Sequence, residues 1–109
     1  MPKRVAITGL GAVTPIGLSV KDTWENALLG KSGISKIDPT WAEGLSAKIA
    51  GTIEIDTVEI LGKVQARRMD RSSQLGVIAV KQAWSDAQIQ FLEKDRLGVF
   101  FGKIGRAHV

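Results

Sequence analysis

The sequence predicts an α/β protein whose elements run strand, helix, strand, helix, strand, and three observations carry that prediction. Val5-Ala6-Ile7-Thr8 is a short β-rich apolar run that stops abruptly at Gly9-Leu10-Gly11. Two later stretches repeat apolar residues at helical spacing, around residues 20–28 and 70–84. Between them, residues 48–55 alternate with a period of two. Strands and helices in this order imply a sheet with at least one parallel crossover.

Val5–Thr8 reads as a buried strand feeding a tight turn. Ala12-Val13-Thr14-Pro15-Ile16-Gly17 continues as a connection punctuated by Pro and Gly. Ser19 stands three residues before Asp22, the spacing of a capping box with Asp in place of Glu. Val20, Trp24, Ala27 and Leu28 then mark one face of a helix, and Gly30 suits its C′ position because glycine enters the left-handed region without steric cost. Residues 31–46 hold Gly33, Pro39 and Gly44 and read as an irregular loop with Trp41 tucked beneath it. Ile49, Gly51, Ile53 and Ile55 alternate with Lys48, Ala50, Thr52 and Glu54, a half-exposed strand. Asp56 with Glu59 suits one short helical turn ending at Gly62.

Asp70 reads as the N-cap of a long helix that follows through Trp84. Its stretch Leu75–Val80 is apolar all round, which predicts cover on more than one side. Trp24 and Trp84 lie on apolar helix faces and are expected in the core. Asp95-Arg96 leads into Leu97-Gly98-Val99-Phe100-Phe101-Gly102, a closing apolar strand.

Composition excludes several function classes. The 109 residues amount to at most one modest domain, 44% hydrophobic and 24% charged, as in ordinary globular proteins. There is no cysteine, so the chain offers no disulfide, no thiolate metal site and no Cys nucleophile. The one histidine, His108, sits at the far end without a framework for Ser/His/Asp chemistry. No catalytic, cofactor-binding or metal-ligating residue is assigned. No apolar run approaches the roughly 20 residues that span a bilayer. The segment after Lys3-Arg4 is too short and Gly-broken for a secretory leader, so a cytoplasmic protein is expected. The net charge of +4 would fit an anionic partner, but removing residues 103–109 leaves 13 basic against 11 acidic side chains. Without an aromatic-interleaved basic stripe, nucleic acid is not an expected partner.

A strand, a Gly-rich turn and a helix are also the layout of a dinucleotide site, where glycines let backbone approach a pyrophosphate. Here Gly9-Leu10-Gly11-Ala12-Val13-Thr14 has Thr at the third glycine position, and Pro15 and Gly17 delay the helix to about Ser19. The glycines therefore read as a tight turn that permits close packing.

The segment Val5-Ala-Ile-Thr-Gly-Leu-Gly-Ala-Val-Thr-Pro-Ile-Gly17 resembles the opening of β-ketoacyl-acyl-carrier-protein synthases. Thr23-Trp24-Glu25-Asn26-Ala27-Leu28-Leu29-Gly30-Lys31-Ser32-Gly33-Ile34 is similar to that family's first helix and following turn. Arg67-Arg68-Met69-Asp70-Arg71-Ser72-Ser73-Gln74 resembles its Arg-Met-Asp-Arg helix start. Arg96-Leu97-Gly98-Val99-Phe100-Phe101-Gly102 resembles the strand before its Gly-Thr-Gly-Ile-Gly-Gly loop. The four segments stand in order and register across residues 3–102, and the nearest flavour is the elongating type II synthase. The resemblance implies an incomplete N-terminal part of a thiolase-like fold, two related α/β halves in a homodimeric parent. It also implies a decarboxylative Claisen condensation with acyl- and malonyl-loaded acyl carrier protein as partners. A Cys thiolate at a helix N-terminus accepts the acyl group, and two His residues assist decarboxylation of the malonyl group. In the family those residues lie further along the chain than residue 109, so this stretch is expected to be inactive alone.

Two further expectations concern single segments. After Gly102 the family pattern gives way to Lys103-Ile104-Gly105-Arg106-Ala107-His108-Val109. ATC GGA AGA GCA CAC GTC encodes the last six of these and lies within a common short-read sequencing adapter, so residues 103–109 read as a non-native tail on a partial synthase domain of residues 1–102. Lys63, Arg67 and Arg68 form a basic cluster, with Val64 where relatives often carry another basic residue. The resemblance implies that they help dock the acidic helix of the carrier protein; an ordinary solvated charged face, with Arg71 paired to a carboxylate, is the other reading. The alternative for the whole chain is a small stand-alone α/β module that binds a nucleotide or a carrier.

Overall fold

The computed structural model describes residues 2–103. The tail assigned from the sequence, residues 103–109, therefore lies outside the described residues except for Lys103, and His108 with it. In chain order the elements are α1 (Val20–Leu28), β1 (Ile34–Lys36), α2 (Pro39–Ala42), β2 (Ile49–Gly51), α3 (Thr57–Leu61), α4 (Lys63–Arg68) and α5 (Arg71–Ala87), followed by a 3₁₀ turn at Lys94–Arg96. The α/β class holds, as a mix of helices and one small sheet.

Helix boundaries follow the capping chemistry read from the sequence. The Ser19 hydroxyl accepts from the Asp22 amide at 3.1 Å and opens α1. Gly30, at φ 71°, closes it. The Lys31 amide donates to Asn26 and the Gly30 amide to Ala27, at 3.0 and 3.1 Å, which is a Schellman motif. Asp56 accepts from the Glu59 amide at 3.0 Å to start α3, and Gly62, at φ 86°, ends it. The Asp70 carboxylate accepts from the Ser73 amide at 2.9 Å and starts α5.

The sheet departs from expectation. Among the described residues it has two strands, β1 and β2, antiparallel in the register Ile34↔Gly51, Ser35↔Ala50 and Lys36↔Ile49. The alternating run yields a strand of three residues only, and part of the expected loop at 31–46 supplies its partner. Val5–Thr8 and Leu97–Gly102 belong to no strand, and no parallel crossover forms among the described residues. The reason is physical: a strand exists through its ladder of hydrogen bonds, and the chain just after the first segment, like Phe101 in the second, meets a helix instead.

That helix is α5. Gly9 packs against Ala83 and Ala87, and Gly11 against Ala79 and Ala83, each so closely that a Cβ would strike helix backbone. Two residues of extended chain advance about 6.6 Å and four residues of helix about 6 Å, so alternate glycines match alanines one turn apart. The segment runs antiparallel to the helix. The Leu10 amide donates to the Asp86 carboxylate at 3.0 Å and the Ala12 amide to the Gln82 side chain at 3.1 Å, satisfying donors a sheet would otherwise take. Gln82 also donates to the Leu18 carbonyl at 2.8 Å, tying both ends of the Pro15 turn to α5. Phe101 lies over Gly76 on the same stripe.

On about the opposite side, at 100° per residue, Gln74 faces α3 and α4. The apolar run is thus covered on more than one side, as expected. The core is nonetheless small: Leu61 of α3, Ala66 of α4, Ile78 of α5 and Ala42 of α2 are buried, with Thr57 the one buried polar residue described. The tryptophans are not in it. Trp24, Trp41 and Trp84 are 63%, 58% and 43% exposed, so the faces they occupy are only partly covered by the described residues.

Candidate functional site

The basic cluster sits on α4, a helix of six residues between Gly62 and Met69. Gly62 does double duty, ending α3 and opening α4 in a backbone conformation that other residues rarely adopt. Of α4 only Ala66 is buried, which turns the rest of the helix outward. Lys63, Arg67 and Arg68 are all exposed, and none of them forms an ion pair among the described residues. Arg67 and Arg68 occupy the last turn, where the helix dipole favours cations. The structure therefore brings the three sequence-predicted residues together on one short helix.

Arg71 does not join them, nor does it pair with a carboxylate among the described residues. Its guanidinium donates to the carbonyls of Ile53 and Ile55, at 2.7 and 3.2 Å, and fastens the chain leaving β2 to the start of α5. Val64 is exposed in the middle of the cluster, an apolar gap in the basic surface. An open cleft lined by Gln65, Arg68, Met69 and Val77 adjoins it.

Asp70, directly after the cluster, is a cap and not an acid. Donation from the Ser73 amide, and from Ser73 and Ser72 hydroxyls, holds its carboxyl well below the usual carboxylate range. Asp38, which caps α2, is lowered likewise by Thr40. Neither is poised for proton transfer near neutral pH.

Two polar side chains that sequence reasoning passed over organise the neighbourhood. The Gln74 amide donates to the carbonyls of Ala66 and Met69, at 2.7 and 3.2 Å. Its oxygen accepts from the buried Thr57 hydroxyl at 2.8 Å. A polar residue directly before the apolar run Leu75–Val80, one turn after the N-cap, was the available signal.

The Gly-rich turn offers no pyrophosphate cradle. The space that Gly9 and Gly11 leave is filled by the alanines of α5. The α1 N-terminus lies beyond Pro15, capped by Ser19 and braced by its own polar groups. Thr14 and Thr23 hydroxyls meet at 3.0 Å, and Asn26 donates to the Ile16 carbonyl. No helix of the described residues is long and apolar enough to cross a membrane.

Comparison with known proteins decides the family. The sequence model described as the N-terminal domain of β-ketoacyl synthases matches residues 2–107. The chain belongs to the β-ketoacyl synthase family. It is 47% identical over 103 residues to 3-oxoacyl-[acyl-carrier-protein] synthase 2 of Staphylococcus aureus strain COL. It is 46% identical over 102 residues to the protein of that name in strain MRSA252, and 38% identical over 103 residues to the one in Synechocystis. These matches take in 91–92% of the chain and 25% of each relative, so this synthase sequence spans about a quarter of the length of those relatives. Its mixed α/β architecture fits the N-terminal portion of a thiolase-like fold.

Proposed function

We propose that this chain is the N-terminal part of a 3-oxoacyl-[acyl-carrier-protein] synthase that elongates acyl chains by decarboxylative Claisen condensation with malonyl carrier protein. The parent is a cytoplasmic homodimer. The observation that carries this reading is 47% identity to a synthase of that name over 92% of the chain. In the reaction, loss of carbon dioxide from the malonyl thioester leaves an enolate, which attacks the acyl thioester on a cysteine and expels the thiolate. With no cysteine in its sequence, this part of the synthase supplies no nucleophile. Its contribution is recognition: Lys63, Arg67 and Arg68 meet the acidic helix of the carrier protein. Exposed charges without internal partners suit that task, since they steer encounter and orientation while conceding little desolvation. The reading of residues 103–109 as a non-native tail stands against a family match that runs to residue 107; a natural stop codon directly after Val109 in the source gene would refute it.

A hybrid enzyme tests both parts. Residues 2–102 are placed in the Staphylococcus aureus relative in place of the matching segment, and condensation is assayed with malonyl carrier protein and with malonyl-coenzyme A. The hybrid is expected to elongate. Arg67→Glu with Arg68→Glu is expected to lower kcat/KM about tenfold for the carrier-bound substrate and to spare the coenzyme A substrate. Equal loss on both substrates would remove the docking role, and an inactive but folded hybrid would remove the synthase reading.

A further inference from the structure

We propose that Gln74 is the positioning residue of the docking surface, a single amide that locks α4 onto α5 so that Arg67 and Arg68 project from a fixed platform; this rests on the docking reading above. The last carbonyls of any helix lack partners within it, and α4 is only six residues long, so intrinsic stability contributes little to holding it. The Ala66 carbonyl has a long bond from the Met69 amide, at 3.4 Å, and Gln74 adds a shorter one. Both hydrogens of its amide are used, one on Ala66, the residue directly before Arg67, and one on Met69, the residue directly after Arg68. The two carbonyls also fix which way the amide faces, because the reverse orientation would set three oxygens against one another. The remaining oxygen accepts from Thr57, a residue only 6% exposed, so the first residue of α3 is tied to the same point.

Two of the three hydrogen bonds bracket the arginines without touching them, and the third anchors the same amide to α3. The guanidinium groups stay free for a partner while the backbone that carries them is held. A platform ordered in advance spares the complex the cost of ordering it on contact. Gln74 therefore acts through α4 and meets no substrate.

The test uses the hybrid synthase described above, with apo acyl carrier protein as probe. Gln74→Glu keeps size and the acceptor for Thr57 but removes the donors to Ala66 and Met69. Amide hydrogen exchange across α4 is expected to quicken about tenfold while residues 78–83 of α5 keep their protection, since only a local unit opens. Affinity for the carrier protein, read by calorimetry, is expected to fall severalfold with all three basic side chains intact. Unchanged exchange in α4 would overturn the proposal, and so would a loosened α4 with wild-type affinity. If Gln74→Glu unfolds the whole chain, Thr57→Val removes one bond of the three and is judged on the same two measurements at smaller amplitude. A hybrid with Gln74 intact that binds no carrier protein would sink the docking reading and with it the role of Gln74 in docking, whereas the exchange of α4 reports the lock alone.

Discussion

Gly11 rests its Cα against the backbone of Ala79, one turn of α5 before Ala83, where no side chain can enter. Such a contact is set by backbone on both sides, so neither partner can swing away. Gly11→Ala is expected to destabilise the chain by about 1–3 kcal/mol through overpacking. Gly30→Ala provides the control with a different cause. Nothing lies within 4 Å of a Cβ there, but φ is 71°, so strain of about 1–2 kcal/mol is expected from conformation alone. Denaturant midpoints measure both, and Gly30→Asn separates them, because Asn tolerates the left-handed region and should recover part of the loss.

Arg71 and Arg67 are near neighbours in sequence with opposite expected phenotypes. Arg71 donates to two carbonyls of the segment after β2, and its replacement by Ala should cost about 1 kcal/mol of stability. Arg67 is exposed and unbridged among the described residues, so Arg67→Ala should leave the unfolding midpoint within about 0.5 kcal/mol of wild type. Urea titration of the two variants checks this. A destabilised Arg67→Ala would mean that the basic cluster holds the fold together and is not a free surface.

Local chemistry was legible in the sequence where one residue sufficed to decide it. Ser19, Asp56 and Asp70 cap helices, and Gly30 and Gly62 end them, because caps depend on neighbours three or four residues away. The cluster of Lys63, Arg67 and Arg68 was readable for the same reason: helical spacing places it on one short element. What the sequence did not disclose depends on distant partners. Val5–Thr8 has the composition of a strand, yet no ladder forms there among the described residues, and α5 side chains take the neighbouring amides. Trp24 and Trp84 have core periodicity, yet periodicity states which face is apolar and not what covers it. Gln74 escaped notice because its function lies in three bonds to two other helices.

The carboxylates of Asp70 and Asp38 predict a specific acid limb. Both have folded pKa values below the ordinary 3.8, Asp70 through the Ser73 amide and Asp38 through the Thr40 hydroxyl. A group whose pKa is depressed on folding contributes its stability above the unfolded value and loses it as pH falls through that value toward the folded one. Stability should therefore be flat with respect to these groups above about pH 5 and decline below about pH 4. Asp70→Asn keeps a cap oxygen without the charge, so the gap between it and wild type should narrow as pH falls from 5 to 3. Denaturation curves at each pH decide it, and a gap independent of pH would show that the charge contributes nothing.

The two strand-like segments that found no ladder expose the apolar residues that most need cover. Val5 is 91% exposed and Phe100 96% exposed, and alongside them Ile7 and Val99 are open as well. Single exposed apolar side chains are ordinary, but rows of them along β-rich backbone with unpaired edges are templates for association. The 109-residue chain is expected to self-associate and to bind a hydrophobic dye, in a concentration-dependent manner read by sedimentation. Val5→Lys with Phe100→Lys should shift it toward monomer without lowering helix content, since neither side chain is buried here. In the hybrid synthase the same pair should be damaging, because there the remaining three-quarters of the polypeptide is available to cover these residues. Tolerance of both lysines in an active hybrid would mean that this face stays open to water in the full enzyme.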